Sequence, residues 1–163
     1  FDGDRLRGTA GAIVRALPLL GERFLVTYGD TLLDVDYADL AARHAARGLP
    51  ATMTVLRNED AHGASNAHVE ADLVVAYAKA PPPAGAEWID YGLLALEASA
   101  LAGIEEGDLA GPLGALAAAG RLGAYHVAER FHEIGTPAAL AETEQFVRTS
   151  PRFARLRAMR RPS

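Results

Sequence analysis

Short apolar runs rich in β-forming residues alternate along this chain with segments of helical spacing, and Gly or Pro stands at most of the junctions. That alternation constrains the fold more than any other feature, because strands alternating with helices pack as layers of an α/β domain. A helix is expected over residues 8–17, capped by Thr9 and stopped by Pro18. Residues 23–28, bounded by Gly21 and Gly29, have the length and content of a buried strand. A turn at 34–36 leads into a helix over 37–47, with Asp36 as its cap and Gly48 and Pro50 as its end. Residues 51–56 read as a second strand, 58–66 as a polar loop, and 67–70 with 73–77 as a hairpin. Beyond the irregular stretch at 80–85, the pattern predicts a strand over 88–96, helices over 97–102 and 109–119, and short strands over 124–128 and 131–134. Thr136 and Pro137 open a last helix that runs to about residue 147. The expected architecture is an α/β Rossmann-like layered fold, with helices on both faces of a mixed, mostly parallel sheet. In such folds the first strand and its Gly-rich turn carry the phosphate site, and nothing of that kind precedes Gly8.

Composition narrows the function. The chain has 163 residues, enough for one core, and a net charge of −5, which disfavours nucleic acid as a partner. No apolar run reaches the length of a membrane span, and the N-terminal residues lack a signal-peptide pattern, so a cytoplasmic location without a membrane partner is expected. With no cysteine, disulfides and thiolate metal sites are excluded. Residues 148–163 form a basic tail with six arginines and no acid, distinct from the domain at 1–147. Arginine outnumbers lysine fifteen to one, which draws attention to the single lysine, Lys79.

Several side chains stand where chemistry is carried out. Asp30 follows a buried strand and Gly29, at the kind of strand end where α/β sheets bind ligands, and suits Mg²⁺. Its alternative is a turn cap. Asp34 and Asp36 form an Asp-x-Asp pair that could share a cation, although Asp36 also explains itself as a helix cap. Lys79 ends a strand beside a proline run, where it is either solvated or a point charge for phosphate. Asp90 lies inside an apolar strand and therefore needs a partner, either a sugar hydroxyl or a neighbouring arginine. Glu133 ends a strand just before a helix, as a second metal ligand or an arginine partner. The five histidines, His44, His62, His68, His126 and His132, show no metal-ligand spacing and read as solvated or structural.

Taken in order, Gly8-Thr9-Ala10-Gly11-Ala12, Tyr28-Gly29-Asp30, Lys79-Ala80-Pro81, Ile89-Asp90-Tyr91-Gly92 and Glu133-Ile134-Gly135-Thr136-Pro137 resemble the sugar-1-phosphate nucleotidyltransferases. That group includes mannose-1-phosphate and heptose-phosphate guanylyltransferases and glucose-1-phosphate thymidylyltransferases. The resemblance covers residues 1–147 and implies transfer of a nucleotidyl group from a nucleoside triphosphate to a sugar 1-phosphate, with release of pyrophosphate. It implies that Gly8, Thr9, Ala10 and Gly11 bind the nucleotide, that Lys79 contacts the sugar phosphate, and that Asn66, Asp90 and Gly92 face the sugar. It also implies Mg²⁺ on Asp30 and Glu133, and it leaves homo-oligomer formation open. The chain departs from the family where Ala78 replaces a glutamate, where Asp90 replaces an asparagine, and where Glu133 replaces an aspartate. The family's N-terminal Gly-rich signature has no counterpart, so the chain is expected to be the C-terminal part of the domain, lacking its first strand–helix units and inactive alone. Two rival readings are a metal-dependent glycosyltransferase built on Asp34 and Asp36, and a non-catalytic protein that binds a nucleotide-sugar.

Overall fold

The computed structural model describes residues 4–58 and 64–153. The middle of the expected polar loop, with His62, and the end of the basic tail lie outside the described residues. Helix α1 spans Gly8–Ala16, and a short 3₁₀ turn over Leu17–Leu19 accommodates Pro18. Strands β1 (Arg23–Thr27) and β2 (Thr31–Leu32) precede helix α2 (Tyr37–Arg47). Asp36 caps α2 as expected, its Oδ1 accepting from the amides of Ala38 and Asp39, each at 3.0 Å. Gly48 ends it in the left-handed conformation. Strands β3 (Ala51–Arg57), β4 (Ala67–Glu70), β5 (Leu73–Tyr77) and β6 (Trp88–Glu97) follow. A 3₁₀ turn at Ala98–Leu101 replaces the expected helix there, before helix α3 (Ala110–Ala118) and strands β7 (Leu122–Val127) and β8 (His132–Glu133). Helix α4 (Pro137–Thr149) has its cap in Thr136, whose Oγ1 accepts from Ala139 N at 3.1 Å. Thr9 does not cap α1; its hydroxyl accepts from Leu109 N, 100 residues away.

The main sheet has the order β1-β6-β3-β7-β5-β4. A further pairing of Ala67 with Trp88 joins β4 to β6 and closes β6, β3, β7, β5 and β4 into a ring of five. The expectation of a mostly parallel sheet does not hold. Among the described strands only β3 and β7 are parallel neighbours; β6 lies antiparallel between β1 and β3. Strands β1, β3 and β7 do run in one direction, but the insertion of β6 parts the first of them from the others. Strand β2 pairs separately with β8.

Helices cover both faces, as expected, and alternate residues of β6 serve the two sides. Leu94 and Leu96 pack with Ala10 of α1 and Leu113 and Ala117 of α3. Ile89, Tyr91, Leu93 and Ala95 pack with Leu33, Val35 and Leu40 on the α2 side. Strand β3 is buried on both faces from Ala51 to Leu56. Strand β1, read as a buried strand, is instead an edge: it pairs on one side only, and Leu25 is 37% exposed.

His44 of α2 is 2% exposed, with Nδ1 2.9 Å from Thr52 Oγ1. Its Nε2 has no hydrogen-bond partner and stands 3.7 Å from Glu97. Burial lowers its pKa below the usual 6.5, against an opposing pull from Glu97. The neutral ring is therefore the folded form. As pH falls below about 6.5 the unfolded chain takes up a proton that the folded chain resists, so stability is lost on the acid side. Urea denaturation at pH 7.5 and 5.5 should show a smaller acid loss in His44→Gln than in the unsubstituted chain; equal losses would assign the effect to other groups.

Candidate active site

The site begins with an irregularity in β6. Met53 pairs with Leu94, yet Val55 pairs with Asp90, so four residues of β6 span what two span on β3. Gly92 sits in this bulge at φ +88°, and a Cβ there would lie 2.9 Å from the Tyr28 ring. The backbone carbonyls the bulge displaces find partners: Gly92 O accepts from Tyr28 N at 3.1 Å, and Leu93 O accepts from Thr54 Oγ1 at 2.7 Å.

The bulge presents Asp90 to two tyrosines. Its Oδ2 accepts from the hydroxyls of Tyr28 (3.2 Å) and Tyr77 (3.0 Å), and its Oδ1 accepts from Gly92 N at 2.9 Å. The Asp90 backbone amide donates to Asn66 Oδ1 at 2.8 Å. The partner that a mid-strand acid requires is thus a pair of hydroxyls from β5 and the end of β1, not an arginine. Burial raises the Asp90 carboxyl above the usual range, and the Gly92 amide, both tyrosines and the Lys79 charge oppose that rise. Tyr28 and Tyr77 are both pushed well above 10, by burial first and then by the Asp90 charge.

Lys79 stands beside this cluster. Its Nζ lies 3.3 Å from both carboxylate oxygens of Asp108 and 5.9 Å from the Tyr28 ring centroid. Asp108 precedes α3 and accepts from Ala110 N at 2.8 Å. Its carboxyl is lowered, first by that amide and then by Lys79 and the Thr9 hydroxyl, against partial burial. The Gly8–Gly11 segment meets the same loop. Ala10 N donates to Gly107 O at 2.9 Å, Gly107 N donates to Arg7 O at 2.7 Å, and a Cβ on Gly8 (φ +74°) would strike Gly107 O. Close packing on residues 105–109 therefore accounts for Gly8.

Asp30, just before β2, and Glu133 of β8 lie at the same end of the small β2–β8 sheet. Thr31 is the register partner of Glu133, and Ile134 N donates to Asp30 O at 3.0 Å. Both acids are exposed. Helix α4 fixes β8: Thr143 Oγ1 donates to Glu133 O at 2.7 Å, and His132 stacks on Phe146 with centroids 3.8 Å apart. A hard cation binds through one or two carboxylates and completes its shell with water and phosphate oxygens, and Asp30 and Glu133 are the exposed carboxylates here that could serve as such ligands. Among the described residues no group of three or more His, Asp or Glu stands close enough to hold a metal unaided. Asp36 Oδ1 is engaged in capping α2, the alternative that the sequence also allowed for it.

Tyr28 links the two acidic groups: Asp90 bonds it, and the charges of Asp108 and Asp30 add to the rise in its pKa. Sequence reasoning gave no role to Tyr77 or Asp108. Tyr77 had a readable signal, since it lies two residues before Lys79 at a strand end and two-residue spacing shares a face. Asp108, in the acidic run Glu105-Glu106-Gly107-Asp108, had none beyond its place before a helix.

The fold is similar to that of solved sugar-phosphate nucleotidyltransferases. A protein assigned as a glucose-1-phosphate thymidylyltransferase from Bacillus anthracis, solved with sucrose, superposes at TM-score 0.77 and 15% identity, over 91% of this chain and 64% of its own. The inositol-1-phosphate CTP transferase of T. maritima matches at TM-score 0.67 and 18% identity, over 87% and 62%. HddC from Yersinia pseudotuberculosis, complexed with GMP-PN, matches at TM-score 0.68 and 19% identity, over 88% and 64%. The chain thus spans a little under two thirds of the length of each. No protein-family model matches the chain.

Gly92→Ala should lower stability by about 1–3 kcal/mol, because it combines a left-handed backbone with a clash against Tyr28. Urea unfolding measures this directly. A loss below about 0.5 kcal/mol would mean that the bulge relaxes without cost.

Proposed function

We propose that the protein carrying this chain transfers a nucleotidyl group from a nucleoside triphosphate to a sugar 1-phosphate. The observation that carries the reading is the convergence of Lys79, Asp90 and Tyr28 at one end of the sheet, with Asp30 next to Thr31, the register partner of Glu133. An oxygen of the sugar phosphate attacks the α-phosphorus in line. The bond from that phosphorus to the β-phosphate oxygen breaks, and pyrophosphate leaves. Such a reaction needs no covalent enzyme intermediate, only positioning and charge stabilisation.

In this reading Lys79 orients the attacking phosphate as a point charge. Asp30 and Glu133 are the residues that would hold magnesium, which when bound offsets the negative charge of the phosphates. Gly8 and Thr9 border the nucleotide, with Ala10 and Gly11 buried beneath them, and Asn66 and Asp90 border the sugar, with Gly92 buried against the Tyr28 ring. The Asp90 carboxylate already accepts from three donors, so its part toward a sugar is largely to fix the two tyrosines and the bulge. Groups for the triphosphate are proposed to come from the portion of the fold that this chain does not span, and the 163 residues alone are proposed to be inactive.

Pyrophosphate release by the full-length protein, measured across a panel of nucleoside triphosphates and sugar 1-phosphates, tests the reading. Asp30→Asn should reduce magnesium-dependent release by at least about a hundredfold. Lys79→Ala should raise KM for the sugar phosphate more than KM for the nucleotide. No pyrophosphate from any pair, or undiminished release by Asp30→Asn, would overturn the assignment.

A further inference from the structure

The cation proposed above to receive phosphate already has a carboxylate. Lys79 Nζ is 3.3 Å from both oxygens of Asp108, and the two side chains are 47% and 50% exposed. We infer that Asp108 is a positioning residue that occupies Lys79 as a resident counter-ion and yields it to the incoming sugar phosphate, thereby setting the affinity for that substrate. This rests on the phosphate role of Lys79.

The two partners are held very differently. Asp108 is fixed through its own loop: Ala110 N donates to Oδ1, the Thr9 hydroxyl faces the carboxylate, and the neighbouring residues bond Arg7, Thr9 and Ala10. Lys79 is held by Asp108 and the face of Tyr28, on a flexible four-carbon stem. When the pair opens, the lysine moves and the carboxylate stays. Asp108 then remains beside the arriving phosphate, two negative charges near one ammonium. Exposed ion pairs of this kind are weak, so the exchange is reversible and sensitive to salt. The loop that carries Asp108 also packs against Gly8 and Gly11, so the nucleotide-bordering segment and the phosphate lysine share one support.

The test follows the lysine itself. In full-length protein labelled at lysine, the Lys79 side-chain NMR signal is assigned by its loss in Lys79→Arg. Glucose 1-phosphate and inorganic phosphate are then titrated into the unsubstituted protein, Asp108→Asn and Asp108→Ser. Both substitutes keep a cap for the Ala110 amide, and thermal unfolding checks the fold. The expected result is a midpoint about two- to five-fold lower in both variants at low salt, with the advantage lost at about 0.5 M salt. Equal midpoints, or weaker binding in the variants, would overturn the counter-ion role while leaving Lys79 as the phosphate group. A Lys79 signal that no phosphate moves in any of the proteins would overturn the phosphate role, and this inference with it.

Discussion

Strand β6 buries side chains on both faces, and each face belongs to a different layer of the protein. Leu94 and Leu96 close the side under α1 and α3, while Tyr91, Leu93 and Ala95 close the side under α2. The strand also carries the backbone ladders of β1 and β3 on its two edges and touches β4 through Trp88. A ten-residue segment that is apolar nearly throughout can serve all these contacts at once. Its one departure from regular geometry, the bulge at Gly92, is where the fold gives way to a polar site.

That site has an energetic logic of its own. An acid enclosed among apolar side chains is costly unless its oxygens are satisfied. Asp90 meets this demand with two hydroxyls and one amide drawn from β1, β5 and its own strand. Removing any single donor leaves a partly satisfied network, which is worse than none. The tyrosines are thereby held as donors: burial first, and then the Asp90 charge, raises their pKa values, so both stay protonated near neutral pH. The groups free to exchange partners are those at the rim, Lys79 and the exposed acids.

Much of the element pattern was legible because local chemistry marked its ends. Asp36, Gly48 and Thr136 each do at the helix termini what their residue types favour. Thr9 shows the limit of such signals, since its hydroxyl serves a loop a hundred residues distant. Strand direction was not legible. A strand buried on both faces reads as an apolar run whether its neighbour is parallel or antiparallel, so the insertion of β6 beside β1 and β3 left no mark in the pattern. The two-residue strands β2 and β8 owe their pairing to tertiary contacts, and β2 was not anticipated at all. In the site, the need of Asp90 for a partner followed from burial alone. The identity of that partner did not, because Tyr28 and Tyr77 are separated from it by 62 and 13 residues.

The central position of β6 also bears on how the chain emerges from a ribosome. Arg23 of β1 and Glu97 of β6, joined by an ion pair at 2.5 Å, are 74 residues apart in sequence. At about 5–20 residues per second, synthesis leaves β1 waiting roughly 4–15 seconds for the strand it must join. Strand β3 waits as well for its antiparallel neighbour β6. Nascent-chain association with holding chaperones should therefore concentrate on the interval before β6 appears, and slow codons ahead of Trp88 would lengthen the exposure of both strands.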